Sequence, residues 1–555
     1  MLGPLVDRLF GVSEPRATRL TVDRDIHIPM SDGTAALADH YRPAETAGAH
    51  PVVLIRTPYG HHTLFGRLLA TAFARGGFQV VIQSVRGVFG SGGTASMFHQ
   101  ERSDGLDTVH WLRQQGWCDG RVAMAGASYL GYTQWALAPY VDPPLVAVGL
   151  GVTCADFPAS FYPGGVIALD NLLSWSALIT TQERRSPLGP LAQVGRARTL
   201  AAAMRTLPIA DGDRAAVGEP VPFFQEVVSH SGVGDDFWSD IDHSSEVATL
   251  SAPASMVTGW YDLFLPWQLK DFAVLAEAGR APRITIGPWS HGEPASLKVL
   301  VGDQISWLGA HLRGDLAQLQ RQAVRLYLQH ADRWLDFEHW PPRESVPTAL
   351  YLGDHRALHA EPAPASEPDS LRYDPADPTP SVGGALLTGK AKQRDNRAVE
   401  RRCDVLVYTG TELSQDFDLI GEVTAEIYLR TDPQHADLFV RLCDVDASGV
   451  SRNVTDGIRR LRPDAEGPAA VDGAGFRAVR IDLFPTAYRF RAGHRLRVQL
   501  CGGAFPRYVR NTGTGEPDAH AGRTVPIRFE FAHDAQRPSR LVLPVFGGAR
   551  REGTR

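Results

Sequence analysis

The stretch RVAMAGASYLGYTQWALA, residues 121–138, holds a strand and a helix with almost no loop between them. Val122, Ala123 and Met124 are small and apolar, as suits a strand buried on both faces. Tyr132, Trp135, Ala136 and Ala138 follow at helical spacing. Between them Gly126-Ala127-Ser128-Tyr129-Leu130-Gly131 must reverse the chain within a few residues. A serine in such a bend has two readings. It is a helix N-cap, its hydroxyl accepting a first-turn N–H. Or it is a nucleophile elbow, its hydroxyl held clear of the sheet at a helix N-terminus whose partial positive charge favours an oxyanion. The pattern departs from G-x-S-x-G, because Leu130 holds the place of the second glycine and Gly131 comes one residue later.

On either side of this stretch the same rhythm repeats. PVVLIRTPYG (51–60), FQVVIQSVRG (78–87), LVAVGLGV (145–152), PASMVTGWYD (253–262) and RITIGPWSH (283–291) are short apolar runs of the kind found in parallel sheets. Helical patterns over 64–75, 102–115, 129–140 and 267–278 separate most of them. This alternation predicts a doubly wound α/β sheet, preceded by an antiparallel hairpin around Ser31-Asp32-Gly33. The stretch from Cys154 to about residue 248 is too long for a crossover and carries helical pieces, so it reads as a helical cap inserted at the sheet edge. Beyond Trp340-Pro341-Pro342 the helical periods fade. Runs such as ADLFVRLCDVD (436–446) and VPIRFEFAH (525–533) predict a jelly-roll β-sandwich. The fold class is therefore α/β: a hydrolase-type domain over 1–153 and 249–342, a helical cap over 154–248, and a C-terminal sandwich over 343–555. The Pro- and acid-rich segment 358–384 is expected to run along the surface.

Composition sets limits on function. With 555 residues the chain exceeds a single core. A net charge of -6 and the absence of a basic block argue against a nucleic-acid partner. No apolar run reaches the roughly 20 residues that span a bilayer, so no membrane role is expected. Five scattered cysteines without CxxC spacing, and an N-terminus unlike a secretory signal, predict a cytoplasmic protein with reduced thiols. Only four of the 56 basic residues are lysines, which makes a lysine general base a poor candidate.

A serine nucleophile needs a base, and the base an orienting carboxylate. In this fold the chain order is Ser, then Asp or Glu, then His. Downstream, one strand ends at Asp262 and the next at His291, which puts both at the edge of the sheet that Ser128 occupies. Singly, Asp262 is also a helix cap before LPWQLKDF, and His291 an ordinary surface histidine.

GASYLGYTQW (126–135), TGWYDLF (258–264) and GPWSHG (287–292) together resemble the cocaine esterase-like serine hydrolases, relatives of the X-Pro dipeptidyl peptidases and α-amino acid ester hydrolases. The resemblance covers nearly the whole chain, cap and sandwich included, and the family tolerates the missing second glycine. It implies a Ser128–His291–Asp262 triad without metal or cofactor, and an oxyanion hole made by the Tyr129 N–H and by the hydroxyl of Tyr59 in RTPYG (56–60). It also implies that LLSWSALI (172–179) lines the acyl pocket through Trp175 and Leu178, with Phe264 facing the same space. Aromatic walls favour a small apolar or aromatic acyl group. The α-amino acid ester hydrolases carry carboxylates just after the triad aspartate, which bind the substrate ammonium. Here Leu263-Phe264-Leu265 follow, which disfavours substrates with a free amine.

The expected partner is a small ester or amide, cleaved through an acyl-enzyme. An acyltransferase using the same intermediate and an X-Pro type peptidase stay open, as does the homodimer seen among relatives. Among the remaining signals, VIQSVRGVFGSGG (81–93) is similar to a family stretch that more often reads Q-D-x-R-G; Ser84 stands at that aspartate, in a structural role. His61 and His62 follow the oxyanion loop, within reach of a substrate. DVDASG (444–449) lacks the twelfth-position glutamate of a calcium loop and predicts a hairpin turn.

Overall fold

The computed structural model describes residues 3–183, 189–232, 235–387, 389–463 and 471–547. The chain forms two compact units: Met1–Pro158, Thr181–Arg185 and Asp236–Arg325 make the first, and Ala159–Thr180, Ser186–Asp235 and Leu326–Arg555 the second. The segment expected as a cap is thus shared out, its ends belonging to the first unit and 159–180 and 186–235 to the second.

In the first unit the strands are β1 (Leu20–Pro29), β2 (Ala35–Pro43), β3 (His50–Thr57), β4 (Gln79–Ser84), β5 (Cys118–Ala127), β6 (Val148–Gly151), β7 (Ala254–Tyr261) and β8 (Arg283–Ser290). They lie in the order β1-β2-β4-β3-β5-β6-β7-β8. β1 and β2 form the antiparallel hairpin and β2 pairs antiparallel to β4. From β4 onward neighbouring strands are parallel. β4 and β7 are buried along their whole length, which is why they read as continuous apolar runs rather than alternating ones. The helices of this unit are α1 (Gly3–Phe10), α2 (Leu64–Arg75), α3 (Glu101–Arg113), α4 (Tyr129–Trp135), α9 (Leu265–Glu277) and α10 (Pro294–Arg313), while α5 (Leu169–Thr181, all but its last residue), α6 (Gly189–Ala203), α7 (Gly212–Val217) and α8 (Pro222–Ser229) fall in the second. Thr63 caps α2 by accepting from Gly66 N–H. α4 is shorter than its apolar pattern suggests, giving way to a 3₁₀ turn over Ala138–Tyr140. Pro139 has no N–H to continue the ladder and pushes the residue before it out of the α region.

α10 braces the middle of the sheet. A side chain at Gly149 would meet Gln304 at 2.7 Å, and one at Gly151 would meet Leu300 at 2.2 Å. The buried Gln304 amide donates to the carbonyls of Gly126 (2.9 Å) and Gly149 (2.7 Å), which fixes the ends of β5 and β6 against each other.

The second unit contains a β-sandwich of antiparallel strands. One four-stranded sheet pairs β9 (Val405–Thr409), β12 (Arg495–Cys501), β10 (Ala436–Val445) and β11 (Ser451–Leu461) in that order. The other sheet includes Ser345–Leu352, Arg540–Phe546, Thr424–Asp432, Ile527–Ala532 and Asp369–Tyr373. The core between them contains Leu438, Val440, Leu442, Phe529 and Phe531. The β10–β11 hairpin turns at Asp446, whose Oδ1 accepts from the N–H groups of Ser448 and Val450, so DVDASG is a turn. The segment 358–384 is not wholly a surface run. Asp369–Tyr373 pairs with Ile527–Ala532, and Leu371 and Tyr373 point alternately into the core. Two inward apolar residues are enough to recruit a strand from an otherwise polar stretch.

Candidate active site

The site begins at the elbow. Ser128 adopts φ 58°, ψ −124°, a backbone state that costs a non-glycine residue of order 1–3 kcal/mol. Its side chain makes no capping bond to the helix. The N-cap reading therefore fails, and the hydroxyl is released for another partner. Crowding explains the two glycines. A Cβ at Gly126 would lie 2.4 Å from Leu130 Cβ, and one at Gly131 would lie 2.5 Å from Thr153. Position 130 holds a buried leucine, and it is this side chain that leaves no room for one at Gly126. The second glycine is needed one residue later, where α4 crosses the chain leaving β6.

The bend continues into the N-terminus of α4. Tyr129 contributes the first helical N–H, of the set that has no carbonyl within its own helix. Its ring is fully buried. The hydroxyl accepts from Phe98 N–H (3.0 Å) and donates to Glu101 Oε1 (2.8 Å). Glu101 Oε2 pairs with Arg56 at 2.7 Å, and Arg56 also donates to Gln83 at 2.7 Å. Burial pushes the Glu101 carboxyl up, against the pull of the adjacent guanidinium. This anchor, reaching from α3 to α4, is invisible in the sequence. Glu101 and Tyr129 lie 28 positions apart, and no periodicity links them.

Asp262 follows β7 and is fully buried. Its Oδ1 accepts from Phe264 N–H (2.9 Å), so it does shape the entry to α9. Its Oδ2 lies 2.8 Å from His291 Nδ1. Asp262 is not the cap of α9, whose N-cap is Phe264 without a side-chain bond; one carboxylate oxygen holds the turn before the helix and the other faces the imidazole. His291 follows β8, where Ser290 N–H donates to Glu293 (3.1 Å) and Gly292 takes φ 70°. The far nitrogen, His291 Nε2, lies 3.1 Å from Ser128 Oγ. With Nδ1–H donating to the carboxylate, Nε2 is left as an acceptor for the serine proton. Carboxylate, imidazole and hydroxyl thus form one connected line across the ends of β5, β7 and β8.

Phe264 is buried with its ring 5.5 Å from the His291 ring and 4.7 Å from Phe157. Tyr59 lies in the loop after β3, half-buried, with its N–H donating to Thr57 Oγ1 (3.1 Å). Trp175 and Leu178 lie on α5: Trp175 packs edge-on against Phe223 at 4.9 Å, and Leu178 is 50% exposed. His61 does not face a substrate. It is fully buried, with both ring nitrogens engaged by Ser84 and Asp25.

Two clusters bring metal-ligand atom types together among the described residues: Asp25 with His61 and His62, and His330 with Asp444 and His494. In the second, His494 Nδ1 sits 2.9 Å from Asp444, which also accepts from Tyr488 OH (2.9 Å), while His330 Nδ1 faces the Arg489 carbonyl at 3.0 Å. Hydrogen bonds within the protein occupy those atoms. No described helix is long and apolar enough to cross a membrane.

Against known families, residues 32–293 match the X-Pro dipeptidyl-peptidase (S15 family), and residues 319–542 match its C-terminal non-catalytic domain. A cocaine esterase from Rhodococcus sp. (strain MB1 Bresler) is 32% identical, over 95% of this chain and 98% of the relative. The chain belongs to the cocaine esterase-like serine hydrolases of the X-Pro dipeptidyl-peptidase superfamily. Two solved structures share the fold of this hydrolase. An aminopeptidase from the marine sediment archaeon Thaumarchaeota archaeon superposes with a TM-score of 0.78 at 22% identity, covering 95% of this chain and 96% of its own. An α-amino acid ester hydrolase gives 0.76 at 20%, covering 96% and 97%. At that identity they speak to architecture alone. They support the α/β-hydrolase domain followed by a β-sandwich.

Proposed function

We propose that this hydrolase cleaves an ester or amide of a small, largely apolar or aromatic acyl group through a Ser128 acyl-enzyme. Ser128 Oγ attacks the acyl carbonyl carbon while its proton passes to His291 Nε2. Asp262 holds the imidazole in the required tautomer and stabilises the imidazolium as it forms. The negative oxygen of the tetrahedral species is held by the Tyr129 N–H and the Tyr59 hydroxyl. His291 returns its proton to the leaving group, the carbonyl re-forms, and water repeats the sequence to free the acid. The observation that carries this reading is the continuous Asp262–His291–Ser128 line at 2.8 and 3.1 Å, with Ser128 in a strained backbone state and not capping its helix.

The relative at 32% identity is named for an ester substrate, which favours ester over amide here. Leu263, Phe264 and Leu265 supply no carboxylate to receive a substrate ammonium, which weighs against a free-amine peptide. Phe264 beside His291, with Phe157 packed against Phe264, favours an apolar acyl group. The test is turnover of p-nitrophenyl acyl esters by wild type and Ser128→Ala. Loss of activity to background is expected, and unchanged turnover removes the nucleophile. Product analysis with and without an added alcohol or amine separates hydrolysis from acyl transfer. Transfer product formed in preference to free acid selects the transferase.

A further inference from the structure

A second aspartate, histidine and serine lie in line elsewhere in the first unit, and their geometry serves a different purpose. His61, two residues after Tyr59, has a fully buried ring. Its Nδ1 lies 2.6 Å from Ser84 Oγ at the end of β4, and its Nε2 lies 3.0 Å from Asp25 Oδ1 on β1. The His61 backbone N–H donates to the same Ser84 Oγ at 2.9 Å. The Asp25 carboxylate only accepts, so His61 Nε2 carries the hydrogen between them. Nδ1 of that tautomer is an acceptor, and Ser84 Oγ, which receives the backbone N–H, turns its own proton to it. Asp25 reaches the histidine from an irregularity in β1 between Asp23 and Ile26, where it takes φ 51°. Its own N–H is held by the buried Asp39 at 3.1 Å.

This set is not a second nucleophilic centre, because Ser84 has no exposed surface for a substrate to approach. What it does is hold a loop. Residues 58–63 connect β3 to α2 and carry Tyr59. They are tied at Pro58, whose carbonyl accepts from Gln182 (2.8 Å), and at Gly60, whose carbonyl accepts from Thr63 Oγ1 (2.9 Å). Gly60 takes φ 86°, and a Cβ there would meet Phe89 at 2.7 Å. His61 adds three further bonds in a row, and these reach two other strands of the sheet.

We infer that Asp25, His61 and Ser84 are positioning residues that set the oxyanion loop, and act on catalysis through the Tyr59 hydroxyl. The inference rests on the proposed role of Tyr59. An oxyanion donor acts only if it is held within a few tenths of an ångström of where the charge develops, so loosening its loop raises the barrier without weakening ground-state binding.

The experiment is a double-mutant comparison on p-nitrophenyl esters. In the Tyr59 background, Asp25→Ala and Ser84→Ala are expected to lower kcat about tenfold with KM within about twofold. Asp25→Asn is expected to restore kcat, because an amide oxygen accepts the Nε2–H as a carboxylate does. In a Tyr59→Phe background the same changes are expected to move kcat by less than about twofold, since the group they position is gone. Equal losses in both backgrounds, or no loss from Asp25→Ala, overturn the positioning role while Tyr59 keeps its own. No loss from Tyr59→Phe alone overturns the oxyanion role of Tyr59, and the inference with it. Asp25 is 64% exposed, so its variants carry the test even where Ser84→Ala fails to fold.

Discussion

Asp262 in the first unit and Asp456 in the second are both fully buried carboxylates, yet their partners differ in kind. Asp262 accepts one backbone N–H and faces a single imidazole, His291, at 2.8 Å. Asp456 sits between two buried guanidiniums, with Arg441 at 2.9 Å and Arg507 at 2.5 Å. Burial pushes the Asp456 carboxyl up, but Arg507 and Arg441 together outweigh it and hold the group below the usual range. The carboxylate proposed to stabilise charge on demand faces a side chain that can gain and lose a proton. One that must hold a sandwich together is given partners that are always charged. Buried acid alone therefore does not mark a site; the chemistry of the partner does.

The sharpest way to break the comparison is to neutralise Asp262. Asp262→Asn should keep the side-chain shape but allow the wrong histidine tautomer, lowering kcat on the order of 10⁴-fold while the melting temperature moves little. A loss of less than tenfold in steady-state ester hydrolysis would place Asp262 outside the catalytic line. The reciprocal change, Asp456→Ala, leaves two buried guanidiniums without their anion. It should cost about 3–5 kcal/mol in denaturant titration with kcat per folded molecule unchanged. A smaller stability loss accompanied by a fall in kcat would erase the distinction between the two acids.

A third buried carboxylate sharpens the point. Asp271 on α9 has no ion pair among the described residues and accepts the Ala155 N–H at 2.8 Å; burial raises it to about 8, against the weaker pull of Lys270. Its folded-state pKa lies above the unfolded value. Its contribution to stability is therefore fully present below about pH 4 and is lost as pH rises from there through about 8. Asp271→Asn keeps an acceptor for Ala155 and cannot ionise. It should match wild type at or below about pH 4 and exceed it in melting temperature by a growing margin up to pH 8. Parallel melting curves across that range would show that Asp271 does not titrate in the fold.

The same contrast explains how much could be read from the sequence. The parallel strands were legible because β4 and β7 are buried on both faces and so read as unbroken apolar runs. Ser128, Asp262 and His291 were legible because chain order and strand ends restrict where such residues fall. Partners that depend on packing across helices were not. Glu101 behind Tyr129 and Ser84 behind His61 follow from tertiary approach, and no local pattern announces them. The strand Asp369–Tyr373 was hidden for a related reason, since only Leu371 and Tyr373 mark it within a proline- and acid-rich stretch. The helix from Tyr129 was overextended because apolar spacing continues past the point where Pro139 ends the hydrogen-bond ladder.

The most direct measurement is intact-protein and peptide mass spectrometry after treatment with a fluorophosphonate, which labels an activated serine only. One adduct per chain is expected, on the peptide containing Ser128, absent in Ser128→Ala and strongly slowed in Asp262→Asn. Stoichiometric labelling of another serine, or no labelling of enzyme that hydrolyses esters, would contradict the account.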